Sequence, residues 1–153
     1  MFLEVFSYFC NKNILQTGKL LTMMDKKKVI FEHELHSRSA KIIWPLISAP
    51  EGLAKWIADE VKRDGDAMTF GWGVPWRHHE SRTATITEEL QPSLFRWVWD
   101  DDEDYYVEMK LERSDITGDY ILIITDFTDE DDEDWLTAVW EGNFERLHNT
   151  TGL

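Results

Sequence analysis

The chain has 153 residues, enough for one domain with a real core. Its formal net charge of −14 argues against nucleic acid and against anionic membrane surfaces as partners, because phosphates repel it. Hydrophobic residues make up 42% and aromatic residues 13%, with eight Trp, which argues against disorder; the single Cys10 excludes an internal disulfide and a cysteine zinc cluster and fits a reducing cytoplasm, the expected location.

Residues 1–24 read as an extension ahead of a domain at residues 25–153. MFLEVFSYFC is apolar, yet it carries Glu4, lacks a basic leading region and has no small-residue cleavage pattern after it. It is also too short to span a bilayer. Met24-Asp25-Lys26-Lys27 looks like an ordinary beginning of a protein.

From Lys28 the pattern becomes regular. Val29 to Leu35 alternates loosely, as a strand does, and Ser37 or Ser39 offers an N-cap for a short helix through Ile42, Ile43, Trp44, Leu46 and Ile47. Pro45 is expected to shorten or kink that helix, since it lacks a backbone donor. Ala49 to Leu53 starts a second short helix that delivers Trp56. Six strands follow, near Ile57–Lys62, Ala67–Trp72, Arg82–Leu90, Ser93–Trp99, Tyr105–Glu112 and Tyr120–Phe127. Their separators carry turn chemistry: Asp64-Gly65-Asp66, Gln91-Pro92, the acidic run 100–104, and residues 114–119. Gly71-Trp72-Gly73 lacks the lysine and helix of a phosphate loop and reads as a place where a strand bends.

The chain closes on the acidic run 129–134 followed by Trp135, Leu136, Val139, Trp140, Phe144 and Leu147, an apolar stripe on a helix of about four to five turns. Thr128 or Asp129 is the expected cap, and the acidic run complements the positive end of the helix. Short connections between consecutive strands imply an antiparallel meander. The fold class is therefore α+β: a curved antiparallel sheet of about seven strands wrapped on a long C-terminal helix, a helix-grip, with two short helices after the first strand. Val107, Met109 and Leu111 are the inward set of their strand; for Phe95, Trp97 and Trp99 alternation leaves the inward face open.

Residues 43–56, Ile-Trp-Pro-Leu-Ile-Ser-Ala-Pro-Glu-Gly-Leu-Ala-Lys-Trp, resemble the START-like superfamily, particularly its branch of chaperone ATPase activators. That branch shows a tryptophan in the first small helix, a proline-acid-glycine turn, then a leucine and a second tryptophan. Residues 82–88, Pro92 to Trp97 and the last helix with Trp140 and Leu147 match as well, while residues 56–61 and 124–129 look like a smaller START-like group. The resemblance covers residues 28–153 and implies a helix-grip fold with a hydrophobic ligand held between sheet and helix. Function does not follow from the fold alone, because it hosts carriers, cyclases, hydrolases and chaperone helpers.

Trp56, Phe70, Trp72, Trp97, Trp99, Tyr106, Leu136, Trp140 and Phe144 are the candidate ligand-binding residues. Their rings either line a cavity or fill it as a solid core. No metal site is expected: the acidic runs lack the alternating ligands and central glycine of a calcium loop, His33 and His36 have no HExxH arrangement, and these two and His78-His79 read as surface residues. No catalytic residue is assigned, since no serine sits in a GxSxG turn and Cys10 lies in the extension. Arg82, Arg96 and Glu108 could serve acid–base chemistry only if they face inward. The expectation is thus a domain, not catalytic and without a cofactor, that binds a small hydrophobic molecule. Its alternative is a protein-interaction module like the chaperone activators, with the cavity filled by side chains and with a protein partner or a homodimer formed through Trp76 or the apolar extension.

Overall fold

The computed structural model describes residues 25–74 and 76–153, so the extension lies outside the described residues. Seven strands form one antiparallel sheet in the order β1-β7-β6-β5-β4-β3-β2, where β1 is Lys27–Glu34, β2 Glu60–Asp64, β3 Ala67–Gly73, β4 His79–Leu90, β5 Leu94–Trp99, β6 Asp102–Arg113 and β7 Tyr120–Thr128. Six of them follow one another as a meander. Only β1, which comes first in the chain, pairs with the last strand, and Phe31 stands opposite Ile124.

Two short helices, α1 (Ala40–Ser48) and α2 (Pro50–Leu53), connect β1 to β2. Ser39 occupies the N-cap of α1, but its side chain makes no capping bond. Pro45 does not end the helix: it sits on the exposed face, as does Lys41, the residue whose carbonyl loses its helical donor. On the other face Ile43, Trp44, Leu46 and Ile47 enter the core. Trp56 follows α2 and donates its indole N–H to the Leu46 carbonyl at 2.8 Å, which locks the two helices together.

Gly52 is where α1 and α2 touch. A Cβ built there would lie 1.9 Å from the Pro45 carbonyl oxygen and 2.6 Å from the Leu46 Cα, both backbone atoms that cannot swing aside.

Strand bounds differ from the sequence expectation where pairing overrides local composition. Ile57 continues the turn after α2, its N–H bonded to the Leu53 carbonyl, so β2 begins three residues later than expected. The acidic run 100–104 is not a turn throughout: only its first two residues turn, and the rest belongs to β6, whose Asp102 pairs with Trp99 across a bulge. β4 starts at His79 rather than Arg82, because Gly73, Trp72 and Gly71 offer a partner strand to residues 79–81.

The long helix α3 runs from Glu133 to Thr151 after a 3-10 turn at Glu130–Asp132. Asp132, not Thr128 or Asp129, is its N-cap residue, and it makes no side-chain capping bond. Glu133 and Asp134 lie in the first turn, where the helix dipole favours them. Gly152 closes the helix in the left-handed region, its N–H bonded to the His148 carbonyl at 2.8 Å. α3 covers the inward face of the sheet: Trp140 meets Phe31 and Trp56, Phe144 stacks on His33 at 4.7 Å, and Leu147 is buried. His33 therefore belongs to the layer between sheet and helix and not to the surface as expected, because its strand register turns it toward α3, whereas His36, His78 and His79 are exposed as expected. Val107, Met109 and Leu111 are buried as expected, and the open question in β5 is resolved: Phe95 and Trp97 are buried, so their face is the inward one.

Gly52→Ala is expected to lower stability by about 1–3 kcal/mol or more, because the clash with backbone outweighs the gain of up to about 1 kcal/mol in helix propensity. Urea unfolding of the two proteins measures it.

Candidate functional site

Between the sheet and the first half of α3 lies a cavity of about 110 Å³. An apolar cavity of roughly 150 Å³ takes up benzene, so this space suits a compact organic molecule. α3 contributes Trp135, Leu136, Val139, Trp140 and Asn143, residues that share one helical face. The sheet contributes Trp72, Trp97, Trp99 and Val107, with Ile57 at one side.

Of the nine residues that the sequence singles out, the structure brings six to this wall: Trp72, Trp97, Trp99, Tyr106, Leu136 and Trp140. Trp56, Phe70 and Phe144 pack behind it. Phe70 lies 5.4 Å from Trp97 and 5.1 Å from Trp99, and Trp56 lies 6.2 Å from both Trp140 and Phe144, so these three rings support the lining residues. The Tyr106 ring is covered by the Arg96 guanidinium at 4.5 Å and meets Phe127 edge to face at 4.9 Å.

The polar part of the wall is the part that the sequence reading did not select. Asp126 is on β7, in the inward register of Leu122 and Ile124, both fully buried. Its Oδ2 accepts the Trp140 indole N–H at 3.0 Å, and its Oδ1 accepts the Phe127 backbone N–H at 2.7 Å. Burial raises its pKa to about 6; the bonds from Trp140 and Phe127 and the charges of Arg82 and Lys26 act in the opposite direction and offset only part of that effect. The signal was present in simple period-two alternation: Leu122, Ile124 and Asp126 are two apart, which places an acid on an otherwise apolar face.

Arg82 faces inward from β4 and is 8% exposed. Its guanidinium holds Asp101 through a fork, with Nε to Oδ2 at 3.0 Å and Nη2 to Oδ1 at 2.6 Å, and lies 4.1 Å from the Trp99 ring. Lys26 binds Asp102 through its ammonium, and its backbone N–H donates to the Tyr105 hydroxyl at 2.9 Å. Arg96 and Glu108, the other two acid–base candidates, pair with each other away from the cavity wall, and Arg96 also reaches Glu88 at 3.3 Å. The Trp97 indole N–H is buried without an acceptor among the described residues. The site thus offers apolar faces, one buried donor, two ion-paired cations and, in Asp126, a carboxylate bonded only to neutral donors.

Among the described residues no group of three or more His, Cys, Asp or Glu is placed to hold a metal ion, and no helix is long and apolar enough to cross a membrane.

A seven-stranded sheet gripping one long helix over a cavity defines a helix-grip protein. The chain belongs to the START-like superfamily, whose domain model matches residues 23–153. Among solved structures it is similar to the Bacteroides fragilis protein BfR322, with 39% identity over 83% of this chain and 92% of that one and a TM-score of 0.57. It shares its fold with the AHSA1-like protein from Aeromonas hydrophila (19% identity, 82% and 94% of the chains, TM-score 0.65). It also shares it with the Aha1 dimer from Colwellia psychrerythraea (12% identity, 83% and 96%, TM-score 0.60). No curated protein matches the sequence. In general terms the fold is that of a ligand-binding or interaction domain.

Asp126 makes stability depend on pH. The folded protein holds the Asp126 proton up to about pH 6, while an unfolded chain releases it near 3.8. Its contribution is therefore fully favourable below about pH 4 and is lost as pH rises through about 6, a change on the order of 3 kcal/mol. Asp126→Asn sacrifices one of the two accepted bonds, so the slope and not the absolute stability is the readout. Between pH 4 and 7 the wild type is expected to lose about 2 kcal/mol more than this variant in urea unfolding, and equal slopes would contradict the assignment.

Proposed function

We propose that this domain binds a small hydrophobic molecule between its sheet and α3, without catalysing a reaction on it. The observation that carries the reading is the cavity itself: despite eight Trp in the chain, the rings leave about 110 Å³ open beneath α3. Its wall is mostly indole and aliphatic, with few polar groups to orient a guest, as small-molecule sites are built. The proposed contact residues are Trp72, Trp97, Trp99, Tyr106, Leu136 and Trp140, with Trp56, Phe70 and Phe144 holding them in place.

The test is native mass spectrometry of freshly purified protein. The expected result is a mass above that of the denatured chain by one small organic molecule, and loss of that increment in Val139→Trp, which fills the cavity. A chain that carries no increment and takes up no apolar probe would overturn the reading.

Trp76 favours a second reading. It is 83% exposed, next to the half-exposed Val74, between β3 and β4. A bare indole of this kind is a typical centre of a protein contact, here a homodimer or a partner protein. Light scattering of the wild type is expected to show a larger species that Trp76→Ala dissociates; a monomer in both cases would leave the surface without this role.

A further inference from the structure

The cavity reading above leaves the class of ligand open, and the charged groups on the wall narrow it. Lys26, Arg82, Asp102 and Asp126 line the cavity, and Asp101 reaches Arg82 from the turn before β6. With Asp101 counted behind Arg82, two cations stand against three carboxylates, so the ionised cluster at the cavity carries one net negative charge. Arg82 is forked onto Asp101 and Lys26 is bonded to Asp102; both act on Asp126 through space. Asp126 itself takes its bonds from two neutral donors, the Trp140 indole and the Phe127 amide. Each of its oxygens accepts one of them and retains capacity for another.

The rest of the wall suits a cation as well. Trp72, Trp135 and Trp140 border the same space, and indole faces attract ammonium groups, as the Arg82 guanidinium over the Trp99 ring already shows. Beyond the cavity, the net charge of −14 draws cations toward the chain and repels organic anions.

We infer that the cavity takes a compact amphiphilic amine, its ammonium group set against the Asp126 carboxylate and its apolar body against the indoles of β3, β5 and α3. A carboxylate of the same size would meet Asp126 with like charge. An alcohol would donate one bond to it but leave the charge uncompensated.

Asp126 has to be ionised for this recognition, so affinity for the amine falls as pH drops through about 6. The groups facing Asp126 do not obscure that change. They are Arg82 from β4, Lys26 ahead of β1, Tyr105 from β6, and Trp140 and Asn143 from α3, with Asp101 and Asp102 behind the two cations; no histidine lines the cavity.

The experiment titrates the full chain with three probes that share a phenyl ring on a short tail: 2-phenylethylamine, 2-phenylethanol and 3-phenylpropionate. Binding is followed by calorimetry at pH 7.5 and 5.0. At pH 7.5 the amine is expected to bind at least about tenfold more tightly than the alcohol, with the propionate weakest, and at pH 5.0 the lead of the amine over the alcohol shrinks. In Asp126→Asn, with its fold checked by circular dichroism, amine and alcohol converge. A propionate that binds as well as the amine overturns the inference, as does an amine lead that survives Asp126→Asn or does not change with pH in the wild type. Alcohol binding without any amine preference overturns the charge selection and leaves the hydrophobic cavity reading intact. Silence from all three probes overturns the inference, and the native mass and the Val139→Trp comparison then decide the cavity reading separately.

Discussion

The hydrogen bond between the Trp140 indole and the Asp126 carboxylate joins the two layers of the molecule at the point where the cavity forms. An acid on the inward face of a strand paired on both sides is costly to bury unless donors reach it, and Trp140 is the residue of α3 that does. The same ring packs against Phe31, Trp56 and Phe144, so the bond that satisfies Asp126 also sets how α3 lies over β1 and β7. Because the indole is directed toward β7, it forms a wall of the cavity and does not fill it. The site is in this sense a by-product of solving a burial problem.

The remaining structure divides into parts that make the grip and parts that leave space within it. Trp56, anchored to the Leu46 carbonyl, and Gly52, pressed against Pro45, bring α1 and α2 tightly under one end of α3. Here the core is closed. Toward the other end, Arg82 and Lys26 are held by Asp101 and Asp102 at the margin of the sheet, and these ion pairs occupy positions that a further apolar ring would otherwise take. The polar margin and the indole floor together produce an amphiphilic enclosure, which a solid aromatic core would not offer.

Much of the architecture was legible because it rests on local pattern. Turn residues separated the strands, period-two alternation identified Val107, Met109 and Leu111 as inward, and the stripe from Trp135 to Leu147 described α3. The fold that these elements imply is the one observed. Where expectation failed locally, the neighbouring structure decided: the acids at 102–104 belong to β6, whose Asp102 pairs with Trp99 of β5, and α3 begins at Glu133 after a 3-10 turn. The cavity wall was legible in its aromatic part only. Six of nine chosen residues line it, since rings of this size in a sheet gripping one helix have few other places to go.

What the sequence by itself determined is the set of elements, their order and the inward faces of β6 and α3, because each of these follows from the spacing of side chains along a single strand or helix, whereas for β5 that spacing left both faces open. Tertiary structure alone decided that β1 closes onto β7, since a pairing between residues about a hundred positions apart leaves no local trace. It also decided whether the rings of Trp72, Trp97, Trp99 and Trp140 fill their space or enclose it, because that depends on how two curved layers meet. Asp126 shows the difference most clearly. Its inward register could be counted along the chain, but its partner, its raised pKa and its place on the cavity wall exist only once α3 is laid across the sheet.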